Sequence, residues 1–200
     1  MKILVTAFEP YGGQKINASE RLLKEIDSPF IGKKLVVPTS YQHAISPLQQ
    51  EILAGDFTDV VMLGEAGARS KVCMERIALN WMDAMEADED GQVFLETEIA
   101  PGARQAYLTP YPLRQWQQKA VSAGLPMDIS LSAGAFVCNA LSYQLAHWLT
   151  QSNSTVKGWL FVHVPFLPEQ TVAYGKGMPG LPLATMKSCL NFILEQIAAG

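Results

Sequence analysis

The sequence predicts an α/β fold whose sheet is largely parallel. Apolar, strand-like runs alternate along the chain with segments of helical periodicity, which is the order that βαβ units produce. The chain has 200 residues, of which 48% are hydrophobic and 17% are charged. That apolar content is sufficient for one sizeable core. Because no internal repeat or linker interrupts the pattern, we expect one domain over residues 1–200.

Six segments are predicted to form strands because they are apolar or alternate with a period of two. They are Lys2–Phe8, Lys34–Val37, Asp59–Leu63, Arg76–Trp81, Asp128–Leu131 and Gly158–Val164. The last of them is apolar on both faces, which is typical of a strand that helices cover on two sides. We therefore expect Gly158–Val164 near the middle of the sheet.

Five segments have the apolar spacing of helices that face a core. They are Ala18–Ile26, Ser46–Ala54, Leu113–Ala123, Val137–Leu149 and Leu183–Ala198. Cys189 lies in the apolar stripe of the last segment, so we interpret it as a packing residue. The stretch Met85–Pro112 is irregular and acidic at its start, and we interpret it as a surface excursion with a short hairpin.

Composition and charge argue against several classes of function. A net charge of −4 and a pI near 5.4 disfavour general binding to nucleic acid or to anionic membranes. No apolar run is long enough to cross a bilayer, and the N-terminus has the pattern of a strand rather than a signal peptide. The three cysteines and three histidines lack disulfide or metal-ligand spacing. We therefore expect a cytoplasmic protein with reduced thiols.

Cys138 is the candidate nucleophile. The segment Ser130–Asn139 joins a predicted strand to a predicted helix through small residues, which places Cys138 in the first helical turn. Unpaired N–H groups and the helix dipole favour an anion there, so the pKa of the thiol is expected to fall from about 8.5. The same groups could stabilise an oxyanion. The alternative is a small buried hydrophobe, the interpretation we also favour for Cys73.

His163 is the candidate base because it ends the predicted central strand, at the edge where ligands gather in open α/β sheets. A hydrogen-bonded core histidine is the alternative, and His43 and His147 are weaker candidates. An imidazole in this role needs an acceptor that holds its tautomer. Glu75, at the start of the fourth predicted strand, is one candidate and Asp88 is a second. Pairing of Glu75 with an arginine would explain that carboxylate without catalysis.

Two glycine-bearing turns follow predicted strands, at Phe8–Gly13 and Gly64–Arg69. Neither turn has the lysine and hydroxyl ending of a phosphate-binding loop, and neither has full dinucleotide spacing. Their glycines instead allow the backbone to approach a small ligand, with Phe8 and Tyr11 as apolar walls.

Three separated motifs, in the right order, resemble the pyroglutamyl peptidases (pyrrolidone-carboxylate peptidases), which are intracellular cysteine peptidases. The motifs are Glu75–Asn80, Ser132–Asn139 and Val162–Gln170. The resemblance implies an α/β/α fold of the phosphorylase/hydrolase type with a mostly parallel, mixed sheet, commonly assembled as a tetramer. It implies removal of an N-terminal pyroglutamate from peptides, without a metal or another cofactor.

The resemblance also implies residue roles. Cys138 would attack the carbonyl, His163 would act as base and then as acid, and Glu75 would orient His163. Phe8 and Tyr11 would sandwich the lactam ring, and Asn17 and Thr39 would lie nearby. Phe136 and Val137 would line the pocket.

The chain departs from the family pattern at positions 65, 85 and 135, and the run Glu86–Glu89 replaces the usual Ile-Pro-Asp-Asn. Glu65 stands where relatives usually have the glutamine that meets the lactam, and an ionised carboxylate can accept a hydrogen bond but cannot donate one. Met85 replaces an arginine near the reacting carbonyl, and Ala135 replaces a threonine. Two alternatives therefore stay open, a relative with altered lactam or amide specificity and a non-catalytic binder of blocked peptide N-termini.

Overall fold

The computed structural model describes residues 1–174 and 177–200. The strands in this part of the chain are β1 (Ile3–Phe8), β2 (Ile31–Val37), β3 (Asp59–Glu65), β4 (Val72–Glu75), β5 (Ile77–Leu79), β6 (Met82–Ala84), β7 (Phe94–Thr97), β8 (Ala106–Leu108), β9 (Met127–Ser130) and β10 (Gly158–Val164). The helices are α1 (Ala18–Glu25), α2 (Ile45–Ala54), α3 (Leu113–Ser122), α4 (Val137–Gln151), α5 (Pro168–Tyr174) and α6 (Leu183–Ala198).

The central sheet has six strands in the order β2-β1-β3-β10-β4-β9. Neighbouring strands run parallel except for β10 and β4, which are antiparallel. The predicted α/β fold with a largely parallel sheet is therefore confirmed, and the sheet is mixed.

Helices cover both faces of this sheet. Successive residues of β1 point to opposite faces, so Ile3 and Val5 pack in the core beneath α1, α3 and α6, whereas Leu4 packs in the core beneath α2 and α4. The five predicted helices are confirmed to within two residues at each end. The thiol-bearing Cys189 is fully buried in the first core, which confirms its interpretation as a packing residue.

β10 lies inside the sheet between β3 and β4, and all seven of its residues are buried. The prediction of a central strand at Gly158–Val164 is confirmed. Its two apolar faces explain the position, because only a strand with helices on both sides buries every side chain.

The predicted strand Arg76–Trp81 is confirmed only at Ile77–Leu79 (β5), and this strand lies outside the central sheet. β4 ends at Glu75, and β5 then pairs antiparallel with β8 in a separate two-stranded sheet. The guanidinium of Arg76 donates to the backbone carbonyls of Thr109 and Tyr111, at 3.3 and 2.8 Å. These bonds hold the chain where it changes sheets. Glu75 therefore ends one strand instead of opening another.

The sequence predicts a hairpin within Met85–Pro112, and β6 and β7 do pair antiparallel. Only β7 lies in that stretch, because β6 ends at Ala84. The acidic start of the stretch is only partly solvated. Asp88 is 5% exposed, and its carboxylate accepts hydrogen bonds from the backbone N–H groups of Tyr41, Asp90 and Gln92. These bonds attach the acidic segment to the body of the protein. The predicted second strand also begins earlier than expected, at Ile31, and the short helix α5 was not predicted.

Candidate active site

His163 and Glu75 form a buried pair on the adjacent antiparallel strands β10 and β4. His163 Nδ1 lies 2.7 Å from Glu75 Oε1, and the two residues are 4% and 1% exposed. An ionised carboxylate only accepts hydrogen bonds, so Nδ1 carries the proton and Nε2 is the basic nitrogen. The alternative partner, Asp88, instead accepts hydrogen bonds from the backbone N–H groups of Tyr41, Asp90 and Gln92.

Cys138 lies in the first turn of α4, as its sequence context predicts. The loop before the helix turns at Gly134, whose φ of +82° favours glycine. Phe136 at the N-cap provides no side-chain hydrogen bond to the first turn. The N–H groups of that turn therefore lack a side-chain cap at the helix end that bears the thiol.

The thiol lies directly over β3, beside the strand that carries the histidine. A Cβ atom on Gly64 would be only 3.0 Å from Cys138 Sγ, and Gly64 is the register partner of His163. A side chain at position 64 would therefore displace the sulfur. This close approach explains the glycine, and it brings thiol and imidazole to the same place on the sheet.

Asn139 anchors the first turn of α4 to the chain that leaves β4. Its side-chain oxygen accepts from the N–H of Leu79 at 2.8 Å, and its amide nitrogen donates to the carbonyls of Leu79 and Trp81 at 2.9 and 2.8 Å. Three bonds to one fully buried side chain fix the position of the neighbouring thiol. Sequence reasoning missed this role, and the only signal was the place of Asn139 at the end of the Cys138 motif.

The electrostatic surroundings of Cys138 differ from the expectation. Burial raises the pKa of the thiol to about 12, the charge of Glu75 adds to this effect, and Arg69 and the backbone N–H of Cys138 oppose it. The predicted lowering by the helix terminus is therefore wrong, because desolvation outweighs it. Burial also lowers the pKa of His163, against the opposing effect of Glu75. At neutral pH the resting site holds a neutral thiol and a neutral imidazole.

A pocket of about 340 Å³ opens beside Cys138. The structure brings all seven predicted substrate-contacting residues to its wall, namely Phe8, Tyr11, Asn17, Thr39, Glu65, Phe136 and Val137. It adds Gln14, Ile16, Glu86 and Phe166, which sequence reasoning did not single out. The described lining residues include two carboxylates and no lysine, arginine or histidine. The pocket therefore suits a small, largely apolar and uncharged group with a few polar atoms.

Glu65 ends β3 at the floor of this pocket and is held from one side. Its Oε2 accepts from the backbone N–H of Ala18, at the N-terminus of α1, and from the side-chain amide of Gln170, at 2.6 and 2.7 Å. Burial raises the pKa of Glu65, and these two donors oppose the rise. One carboxylate oxygen is thus occupied by the protein, and the side chain as a whole lines the pocket.

The acidic segment closes one side of the pocket. Tyr11 donates its hydroxyl proton to the carbonyl of Ala87 at 3.1 Å, and the N–H of Gly12 donates to Glu89 Oε1 at 2.8 Å. These bonds attach the turn after β1 to residues 86–89. Met85, by contrast, is 84% exposed and does not line the pocket. No cation is supplied to the site from position 85.

The remaining thiol and imidazole groups have structural partners. Cys73 is buried on β4, and its thiol donates to the carbonyl of Lys71. His147 Nδ1 lies 2.8 Å from the hydroxyl of Tyr107, and His43 pairs with Asp90. Among residues 1–174 and 177–200, no three acidic, histidine or cysteine side chains are grouped to hold a metal ion. None of the helices in this part of the chain has the length and apolarity to cross a membrane.

A thiol at a helix N-terminus, next to a buried histidine–carboxylate pair on an open α/β sheet, defines the class of cysteine hydrolases. Comparison with known proteins gives the family. The model of the pyroglutamyl peptidase family matches residues 1–199. A curated pyrrolidone-carboxylate peptidase of Bacillus cereus (strain Q1) is 36% identical over 199 residues, which cover 96% of this chain and 91% of that protein.

Solved structures agree over the whole chain. The pyrrolidone carboxyl peptidase of Fervidobacterium islandicum AW-1 superposes with a TM-score of 0.91 at 31% identity, covering 100% of this chain and 99% of that one. Pyroglutamyl peptidase I of Bacillus amyloliquefaciens superposes with a TM-score of 0.91 at 28% identity, covering 100% and 97%. The chain belongs to the pyroglutamyl peptidase family and is a cysteine exopeptidase.

Proposed function

We propose that this chain removes N-terminal pyroglutamyl residues from peptides, with Cys138 as nucleophile, His163 as acid and base, and Glu75 as the group that orients His163. The observation that carries the proposal is the thiol at the wall of a small pocket, over the sheet beside the buried His163–Glu75 pair. Family membership gives the class of substrate.

The reaction proceeds in two stages. Cys138 Sγ bonds to the pyroglutamyl carbonyl carbon while its proton passes to His163 Nε2, and the N–H groups of the first turn of α4 donate to the oxyanion. His163 then gives the proton to the leaving amine as the C–N bond breaks, which leaves a thioester. Water loses a proton to His163, attacks the thioester and releases pyroglutamate, and the thiol regains its proton. No step needs a metal or a cofactor.

The pocket accounts for selection of a lactam over a free N-terminus. Phe8 and Tyr11 provide apolar walls for the two faces of the ring, and Phe136 and Val137 extend the apolar lining. Asn17, Thr39 and Glu65 also line the pocket, and they provide the polar groups that would border the ring amide. An uncharged lactam enters such a pocket at a lower desolvation cost than an ammonium group does.

The direct test is fluorescence from pyroglutamyl-aminomethylcoumarin at neutral pH with a reductant. Turnover supports the peptidase proposal. If the folded protein shows none, a panel of other lactam and acyl amides tests for a drifted specificity. Calorimetric binding of pyroglutamyl peptides without cleavage of any substrate would favour the alternative of a non-catalytic binder.

Replacing Glu65 with glutamine is expected to raise kcat/KM for the pyroglutamyl substrate several-fold. The glutamine oxygen can keep the bonds to Ala18 and Gln170, and its amide group then offers the lactam carbonyl a donor that the ionised carboxylate lacks. One added hydrogen bond of about 1 kcal/mol corresponds to this gain. Steady-state kinetics of Glu65→Gln measure it, with the exposed substitution Glu25→Gln as control. A loss of activity in Glu65→Gln would show that the carboxylate itself is required.

The pH profile of kcat/KM is expected to fall on the acidic side with a midpoint below 6.5. Burial lowers the pKa of His163, so the neutral imidazole that accepts the thiol proton persists below the ordinary value and is lost only at still lower pH. On the alkaline side no limb from Cys138 is expected near 8.5, because burial raises the pKa of that thiol to about 12. Initial rates from pH 4 to about 10 measure both limbs. An acidic midpoint above 6.5 would contradict this electrostatic account.

We also propose that the protein acts in the cytoplasm as a homotetramer. The three cysteines are free, which suits a reducing compartment. Exposed apolar side chains in and near the strands outside the central sheet, including Leu95 and Leu108, would be covered by assembly. Light scattering should then give a mass about four times that of the 21.9 kDa chain, and a monomeric mass would contradict the tetramer.

A further inference from the structure

We propose that Arg69 is a positioning residue for this reaction, which ties the carboxylate of Glu75 to the loop that leads to Cys138. The inference rests on the proposed function, since it assigns Arg69 to the same site. Arg69 lies in the loop between β3 and β4, and it does not line the pocket. It therefore acts through its neighbours and not on the substrate.

The first contact joins Arg69 to the histidine–carboxylate pair. Arg69 Nη2 lies 2.8 Å from Glu75 Oε1, the same oxygen that lies 2.7 Å from His163 Nδ1. The other oxygen, Glu75 Oε2, is buried and has no hydrogen-bond partner among the described residues. Arg69 and His163 therefore both contact Glu75 Oε1. Without Arg69, only His163 would hold Glu75.

The second set of contacts joins the same nitrogen to the segment before the nucleophile. Arg69 Nη2 lies 3.1 Å from Ser130 Oγ and 3.0 Å from the carbonyl oxygen of Ser132. Ser130 ends β9, and Ser132 lies in the loop that runs to Cys138 at the start of α4. A single guanidinium therefore links β4, which bears the carboxylate, to the segment that sets the position of the thiol.

The charge of Arg69 also acts on both reacting groups. Burial and Glu75 raise the pKa of Cys138, and Arg69 opposes them. Burial lowers the pKa of His163, and Arg69 adds to this effect while Glu75 opposes it. The other titratable groups close to His163 are Glu75 and Cys73 on β4, Cys138 at the start of α4 and Glu65 at the end of β3. Arg69 adds a cation to these groups. It is only partly exposed, so solvent screens its charge incompletely.

The test compares Arg69→Gln with Arg76→Gln, which removes another guanidinium whose hydrogen bonds among the described residues go to the backbone carbonyls of Thr109 and Tyr111. Arg69→Gln should lower kcat/KM about 100-fold, mainly through kcat, because misplacement of reacting groups by about 1 Å has an effect of this size. It should also move the acidic limb of the profile to higher pH, because the pKa of His163 rises when the nearby cation is lost. Arg76→Gln should leave that limb in place.

A second variant and a second measurement keep the proposal testable if Arg69→Gln folds poorly. Arg69→Lys retains the charge without the planar fork, so it should keep the wild-type acidic limb while kcat falls about tenfold. Alkylation of Cys138 by iodoacetamide at neutral pH, located by peptide mass mapping, should be slower in Arg69→Gln than in wild type, because loss of the cation raises the pKa of the thiol. This measurement needs no peptide substrate, so it separates failure of this inference from failure of the proposed function.

Two results would overturn the role of Arg69. The first is wild-type kcat/KM and wild-type alkylation in a folded Arg69→Gln protein. The second is a loss of activity with an unmoved acidic limb and an unchanged alkylation profile, which would indicate a purely structural contact.

Discussion

Cys138→Ala is expected to lower turnover of pyroglutamyl-aminomethylcoumarin by about 10⁴- to 10⁶-fold, the range found when a covalent nucleophile is removed from a catalytic triad. Alanine removes the sulfur that forms the thioester, and His163 alone cannot supply a substitute. The fold should persist, because alanine keeps the Cβ atom of residue 138 and removes only the sulfur that lies over Gly64. Fluorescence release measures turnover, and circular dichroism measures the fold.

The matched control for this variant is Cys73→Ala, which removes a thiol that lies on β4 outside the pocket. It should retain most of the wild-type rate. Turnover by purified Cys138→Ala at a rate similar to wild type would refute the assignment of the nucleophile. Loss of activity in both variants, with both proteins folded, would point to a shared structural effect instead.

His163→Ala is expected to lower kcat by about 10⁴-fold, since removal of a triad base has this effect. The thiol is the reason for the large loss. Because burial raises the pKa of Cys138 to about 12, almost no thiolate forms at neutral pH without a base to accept the proton. The leaving amine also loses its proton donor. Single-turnover kinetics should show that the acylation step itself is slowed.

His43→Gln serves as the control for this variant, because His43 lies outside the pocket and pairs with Asp90. It should leave kcat unchanged. If His163→Ala kept wild-type acylation, the base would have to be sought elsewhere. In that case the 2.7 Å contact with Glu75 would be structural only.

The main features of the fold could be predicted because they follow from local patterns. The fully apolar run of β10 and the apolar stripe of α6 are visible in the sequence, and both elements have the predicted bounds. The point near Arg76 at which the chain leaves the central sheet for the two-stranded sheet could not be predicted in this way. It depends on hydrogen bonds to residues 109 and 111, more than thirty positions further along the chain. The seven-residue helix α5 is too short to show a period.

In the candidate site, too, the features that follow from local sequence could be predicted, and those that depend on the assembled fold could not. Cys138 and His163 could be selected from their places at the start of a helix and near the end of a strand, and the family resemblance led to the same two residues. The electrostatics could not be predicted, because the pKa of Cys138 depends on how deeply the assembled protein buries it. The sequence allows an arginine partner for Glu75 but does not identify it as Arg69. The bonds of Arg69 to Ser130 and of Asn139 to Leu79 were missed because each joins residues about sixty positions apart.

The position of β10 determines when the central sheet can be completed as the chain is synthesised. It is the last strand in the chain, yet it lies between β3 and β4 in the interior of the sheet. A growing chain on the ribosome that lacks Gly158–Val164 has two separate sheet fragments, β2-β1-β3 and β4-β9, with nothing to join them. Non-local strands of this kind pair late. The base arrives with the strand that joins the two halves, so a nascent chain stays inactive until the sheet is complete.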